Sequence, residues 1–204
     1  MKKSGYLVKL TLASLLTVAG LSFVVQVHGD DLADAKQRAQ SMIDEGRRIT
    51  LMPDGQEKVD AISYMLRKYV SVQYIANFSV GQYMRLIQAQ PSLIAPFYNA
   101  FEFDLALFLE NRLGKDFAEQ EFRTTQVTWL DQSEGIANVK LQGNTTSVSG
   151  SLQMVKSKAD GQFWINDLKV DNIDLLIVYR SRIADRMSSI GGNVQALIDY
   201  LNRK

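Results

Sequence analysis

The hydrophobic period of this chain changes twice, and the changes govern what it can fold into. Apolar residues recur at helical spacing up to about residue 113, alternate between residues 121 and 170, and return to helical spacing beyond. Leu32, Ala35, Ala39, Met42 and Ile43 make one amphipathic stripe. Val59, Ile62, Leu66, Tyr69 and Val70 make a second, after the turn Pro53-Asp54-Gly55. A short helical piece carries Tyr74 and Phe78, and Ser79 is placed as the cap of a further turn holding Tyr83, Leu86 and Ile87. Pro91-Ser92 breaks the chain before a helix over Phe97 to Leu113, which Gly114 ends in the C′ role.

Four strands follow. Residues 121–130 are rich in β-branched and aromatic types, and residues 136–141 and 147–156 alternate apolar with polar. Asp160-Gly161 is a hairpin turn signal before a strand over residues 163–170. Two helices close the chain, the first capped by Asn172 or Asp174, the second by Asn193 after Gly191-Gly192. Helices, then a four-stranded antiparallel meander, then helices describe an α+β domain. A sheet apolar on one face must have that face covered by helices.

The helix from Phe97 is the best candidate for the cover, and it is apolar on two sides. Phe97, Tyr98, Phe101, Leu105, Phe108 and Leu109 share one face, while Ala100, Phe103 and Leu107 lie nearly opposite. Such a helix is sandwiched between apolar partners.

The first 29 residues read differently. Lys2, Lys3 and Lys9 precede an uncharged, mostly apolar run from Leu10 to Val27, and Val27-His28-Gly29 offers a cleavage site. That order is the secretory signal pattern, with an uncleaved anchor as the alternative. Residues 30–204 then form the mature domain. Removal takes three lysines and no acid, leaving 20 basic against 22 acidic residues, a net charge of −2. A nucleic-acid partner would want a basic excess.

The chain has no Cys, and its single His, His28, lies in the segment expected to be removed. An exported domain without disulfides must hold itself together by its core. Neither a Ser-His-Asp or Cys-His site nor a zinc site of the usual N/S kind can be built. Only carboxylate, Lys, Tyr or Ser chemistry is left.

Two segments carry a family likeness. QYIANFSVGQYMRL (Gln73 to Leu86) resembles the hydrophobic helix with a Gly-x-Tyr step of the toluene-tolerance, or MlaC-like, family. Phe163 to Lys204 resembles that family's ending: an aromatic strand into Asp167, a helix with Tyr179-Arg180, the break Gly191-Gly192, and a last Leu-rich helix. The chain departs from the family in reading Asn172-Ile173-Asp174 where Gly-Val-Ser is frequent, and Phe163 where Trp is usual. Members are soluble periplasmic components of an ABC system that traffics phospholipid. The resemblance implies a deep apolar cavity holding acyl tails, with the headgroup near the mouth. It also implies passage of lipid between an inner-membrane ABC transporter with an MCE-type component and an outer-membrane lipoprotein complex. Catalysis, cofactors and metals are not implied.

Candidate lining residues for such a cavity are Phe97, Phe101, Leu105 and Phe108 from the apolar helix and Val139, Leu141, Leu152 and Met154 from the sheet. Tyr74, Phe78, Tyr83 and Ile177 are further candidates from neighbouring helices. Each can equally be ordinary core, since a Phe stripe at helical spacing is first of all packing. Arg180, Arg182 and Arg186 read as a solvated helix face, with one of them meeting a phosphate as the alternative. Other functions stay open: a carrier of another envelope lipid such as a hopanoid, a small α+β enzyme using Asp104, Glu102 or Asp167, or an adaptor with a filled interior.

Overall fold

The computed structural model describes residues 29–112, 121–144, 149–170 and 173–203. Residues 1–28 of the expected signal segment, the helix stop at Leu113-Gly114, the strand start at Ser147-Val148 and the cap candidate Asn172 lie outside those residues. The helices are α1 (Gly29–Thr50), α2 (Gln56–Tyr69), α3 (Val72–Val80), α4 (Met84–Gln88), α5 (Pro91–Arg112), α6 (Leu175–Ser189) and α7 (Val194–Leu201). The strands are β1 (Arg123–Asp131), β2 (Ile136–Gln142), β3 (Ser149–Lys156), β4 (Phe163–Val170) and β5 (Ile173–Asp174).

The sheet is an antiparallel meander in the order β1-β2-β3-β4-β5. It has five strands where the sequence predicts four. The fifth is two residues long and pairs Val170 with Ile173 and Lys169 with Asp174. A strand so short leaves no periodicity to read, and Asp174 is also the N-cap of α6, accepting from the Ile177 amide at 2.9 Å.

Register sorts the side chains. Val127, Val139, Leu152 and Leu168 make one cross-strand row, and Trp129, Ala137, Met154 and Ile165 make the next. Ala137, Val139, Leu152 and Met154 are fully buried. Asn166 is the extra residue of a bulge in β4, because Gln153 pairs with Asp167 while Met154 pairs with Ile165. Beside the bulge, Val70 forms a lone parallel bridge with Ile165, and the Ser71 amide donates to the Ile165 carbonyl.

The sheet's main cover is α1 rather than α5. Helix α1 packs against β1, β2 and β4. Its buried stripe of Ala35, Ala39 and Ile43 lets backbone come close to the strands. Helix α5 packs instead against α2, α3, α4 and α7. The reason is its all-round apolarity: Phe97, Ala100, Phe101 and Ala106 are buried by helices on more than one side. Pro91 opens α5, where a missing N–H costs nothing. Pro96, on the exposed side of the second turn, removes one helical hydrogen bond.

Two other local readings differ from expectation. Ser79 lies inside α3, buried, with its hydroxyl unpartnered, and caps nothing. The chain turns instead at Gly81, with φ of 56°, into a 3-10 turn over Gly81–Tyr83. At the other end Gly191 and Gly192 have φ of 60° and 76°, and Asn193 caps α7 by accepting from the Ala196 amide at 3.0 Å.

Candidate functional site

An apolar hollow lies between α5 and the sheet. Helix α1 contributes Met42, Ile43 and Gly46, and α2 contributes Met65 and Leu66. Leu105, Phe108 and Leu109 of α5 face Leu152, Ile165 and Leu168 of the strands. Leu175, Leu176 and Tyr179 of α6 close a third side, with Val70 and Ile75 at the α2–α3 junction. The hollow holds about 800 Å³ of atom-free space including its open side, of which about 100 Å³ admits a water-sized sphere. The second figure is of the order of an engineered apolar cavity that stays dry and binds benzene, roughly 150 Å³.

Three lining residues are polar: Asn166, Asp167 and Tyr179. The Tyr179 hydroxyl is already used, donating to the Asp104 carboxylate. Arg182 donates to the same Asp104 oxygen and stacks over the Tyr179 ring at 4.7 Å and the Phe108 ring at 5.7 Å. Phe101 and Phe108 meet the Tyr179 ring edge-on at 5.1 and 5.3 Å. Burial, then the Asp104 charge, pushes the Tyr179 phenol well above its usual range, so it stays a neutral donor. This cluster clips α5 to α6 at the cavity wall. Asp167 accepts from the Leu168 amide at 2.8 Å, and burial followed by the nearby Asp174 raises its pKa.

The expected lining residues are spread over the fold. Leu105, Phe108 and Leu152 come together on the cavity wall. Phe97 and Phe101 are fully buried in the helical layer, with ring centroids 5.9 Å apart. Val139, Leu141 and Met154 are buried on the inner face of the sheet. Phe78 stacks with Tyr74 at 6.4 Å and lies under the Arg180 guanidinium at 4.6 Å. Tyr83 is half-buried, and Tyr74 and Ile177 are exposed. The carboxylates Asp104, Glu102 and Asp167 each have separate partners: Tyr179 and Arg182, Arg67, and the Leu168 amide.

Sequence reasoning missed the α1 and α2 wall and the front of α6. A signal was present for both. Gly46 sits one turn beyond Met42 and Ile43 on the α1 stripe, and an interior helical Gly marks close approach. On α6 the buried phase is Leu176, Tyr179, Ile183 and Met187, which leaves Ile177 outside.

The MlaC protein family model matches residues 36–203. The chain belongs to the MlaC family. Of the segments that carried the likeness, Gln73 to Leu86 spans α3 to α4, and the described residues of Phe163 to Lys204 span β4 to α7. No curated protein matches the chain. A solved structure from Ralstonia solanacearum, described as a phospholipid-binding protein in complex with a phospholipid, superposes with a TM-score of 0.64. The two are 17% identical, and the match covers 83% of this chain and 95% of that one, so the likeness is one of fold.

Proposed function

We propose that this MlaC-family chain is a periplasmic lipid carrier and not an enzyme. Residues 1–29 serve as a cleaved export signal and residues 30–204 as the lipid-binding domain. The observation that carries the reading is the hollow between α5 and the sheet, apolar on every wall except at Asn166, Asp167 and the spent Tyr179 hydroxyl.

The physics of the task agrees. Each methylene taken from water is worth about 0.8 kcal/mol, so two tails of roughly 14 methylenes cost on the order of 20 kcal/mol to expose. Lipid crosses an aqueous gap only inside an environment nearly as apolar as the bilayer. Membrane and pocket then nearly balance, and a partner tips the transfer. Such a pocket needs no reactive group. The partners are an inner-membrane ABC transporter with an MCE-type component and an outer-membrane lipoprotein complex.

At about 100 Å³ of usable space the hollow does not take an acyl chain with its walls as they stand. The sheet is tied by ladder hydrogen bonds on β2, β3 and β4. Helices α5 and α6 meet each other and the cavity through side chains, including the Asp104–Tyr179–Arg182 clip. The helical wall is therefore the part that yields to a ligand.

Native mass spectrometry of protein purified from a bacterial envelope tests the reading. The expected result is a chain beginning at Asp30 with a diacyl phospholipid bound. A hopanoid or other envelope lipid would keep the carrier and change its cargo. Bare protein would overturn it.

A further inference from the structure

The wall of the apolar hollow contains one polar atom that the fold does not satisfy. Asn166 is 4% exposed, and its side-chain oxygen has no hydrogen-bond partner among the described residues. It is the extra residue of the β4 bulge, and a bulge re-aims side chains. Here the bulge sets an amide into a wall that Val70, Ile165 and Leu168 otherwise make apolar. The other two polar side chains of that wall are engaged elsewhere. The Tyr179 hydroxyl donates to Asp104, and Asp167 meets the Leu168 amide and Asp174.

A buried acceptor without a donor costs the folded state the full desolvation of that group, and native domains hold few of them. A ligand that brings the donor removes the cost. The oxygen is out of reach of water with the walls as they stand. The donor therefore arrives with whatever parts the helical wall from the sheet. Its chemistry is narrow. Ester and phosphate oxygens only accept, so neither the phosphate nor the acyl esters of a phospholipid can serve. An ammonium would bring an unpaired charge into an apolar wall, which is far more costly than the orphan it relieves. A hydroxyl donates without a charge and is small enough to travel with hydrocarbon.

We propose that the hollow selects lipids that carry a hydroxyl on or beside their hydrocarbon part, and that Asn166 Oδ1 accepts from that hydroxyl. The proposal rests on the carrier reading and adds a specificity to it. The hydroxyl comes either from a hydroxylated acyl chain or from a free position on glycerol. Both present the same donor to Asn166.

The test uses two matched pairs, each an alcohol and its methyl ether, offered to the delipidated protein and quantified after extraction. One pair is methyl stearate with a mid-chain hydroxyl or a mid-chain methoxy group. The other is dioleoylglycerol and its methyl ether. An ether keeps the oxygen and loses the donor. The wild type should retain the alcohol at least about fivefold better in one pair or both, the scale of one orphaned acceptor relieved. An excess in the stearate pair puts the hydroxyl on the chain, and an excess in the glyceride pair puts it on glycerol. Asn166→Leu, close in size and without the acceptor, should erase the preference and leave retention of the ethers unchanged. Asn166→Ala repeats the measurement with a smaller side chain. Equal retention of alcohol and ether in both pairs overturns the site, and so does a preference for the ethers or one that survives both replacements. Dioleoylphosphatidylethanolamine is the reference ligand. Its retention alongside any of those results leaves the carrier standing, and retention of none of the five lipids overturns the carrier and the site together.

Discussion

At the scale of single residues, the polar groups of the cavity wall behave differently from one another. Tyr179 and Arg182 both donate to Asp104, so this buried carboxylate is matched. Tyr179→Phe removes one of its two donors and should cost about 1–3 kcal/mol, read as a lower denaturant midpoint at unchanged m. Asp167 is the opposite case. Its pKa is raised, by burial first and by Asp174 second, so the folded state holds the proton more tightly than the unfolded chain. Stability from this group is therefore present at low pH and is lost as pH rises through the raised pKa. Asp167→Asn should melt higher than wild type at pH 7, and the two should converge below the ordinary carboxylate pKa. The raised pKa at Asp167 was not legible in the sequence, because neither the burial nor the approach of Asp174 is local: β5 must first fold back onto β4.

At the scale of elements, the strands were readable because their side chains alternate: Ala137, Val139 and Leu141 of β2 and Leu152 and Met154 of β3 are buried, and the residues between them are not. Their fit is close. A methyl on Gly150 would stand 2.7 Å from the Lys169 carbonyl oxygen of the neighbouring strand. Gly150→Ala should therefore destabilise by about 1–3 kcal/mol, measured by thermal or urea unfolding, because the obstacle is backbone and cannot rotate away. Helix α5 was recognisable as sandwiched but its partners were not. Phe97 and Phe101 face other helices, whereas Leu105 and Phe108, one and two turns further on, face the hollow. Nothing in the spacing of those four residues separates the pairs. The difference comes from where α2, α6 and the sheet stand around the helix.

At the scale of the whole molecule, the cavity makes stability and loading two sides of one equilibrium. A ligand bound only by the folded state adds about 2.7 kcal/mol at a hundredfold excess over Kd. For a domain of this length that is roughly 5–10 °C in Tm, so delipidated protein should melt lower and recover when phospholipid is returned. Leu152→Glu, which puts a charge at the centre of the sheet wall, should abolish retention, with far-UV circular dichroism checking that the fold survives. Filling the space is the gentler probe: Leu105→Trp should lower lipid retention at a stability cost of about 1–3 kcal/mol. What residue order determines here is local. It sets the period changes that make an α+β chain, the caps at Asp174 and Asn193, and a composition without Cys. Periodicity says which side chains leave water. It cannot say whether they meet one another or stand around a void, because that depends on the distance between layers. Only the tertiary structure decided that α1 would lie against the strands, that α5 would stand across a gap from them, and that the side-chain oxygen of Asn166 would be left unpartnered on the cavity wall.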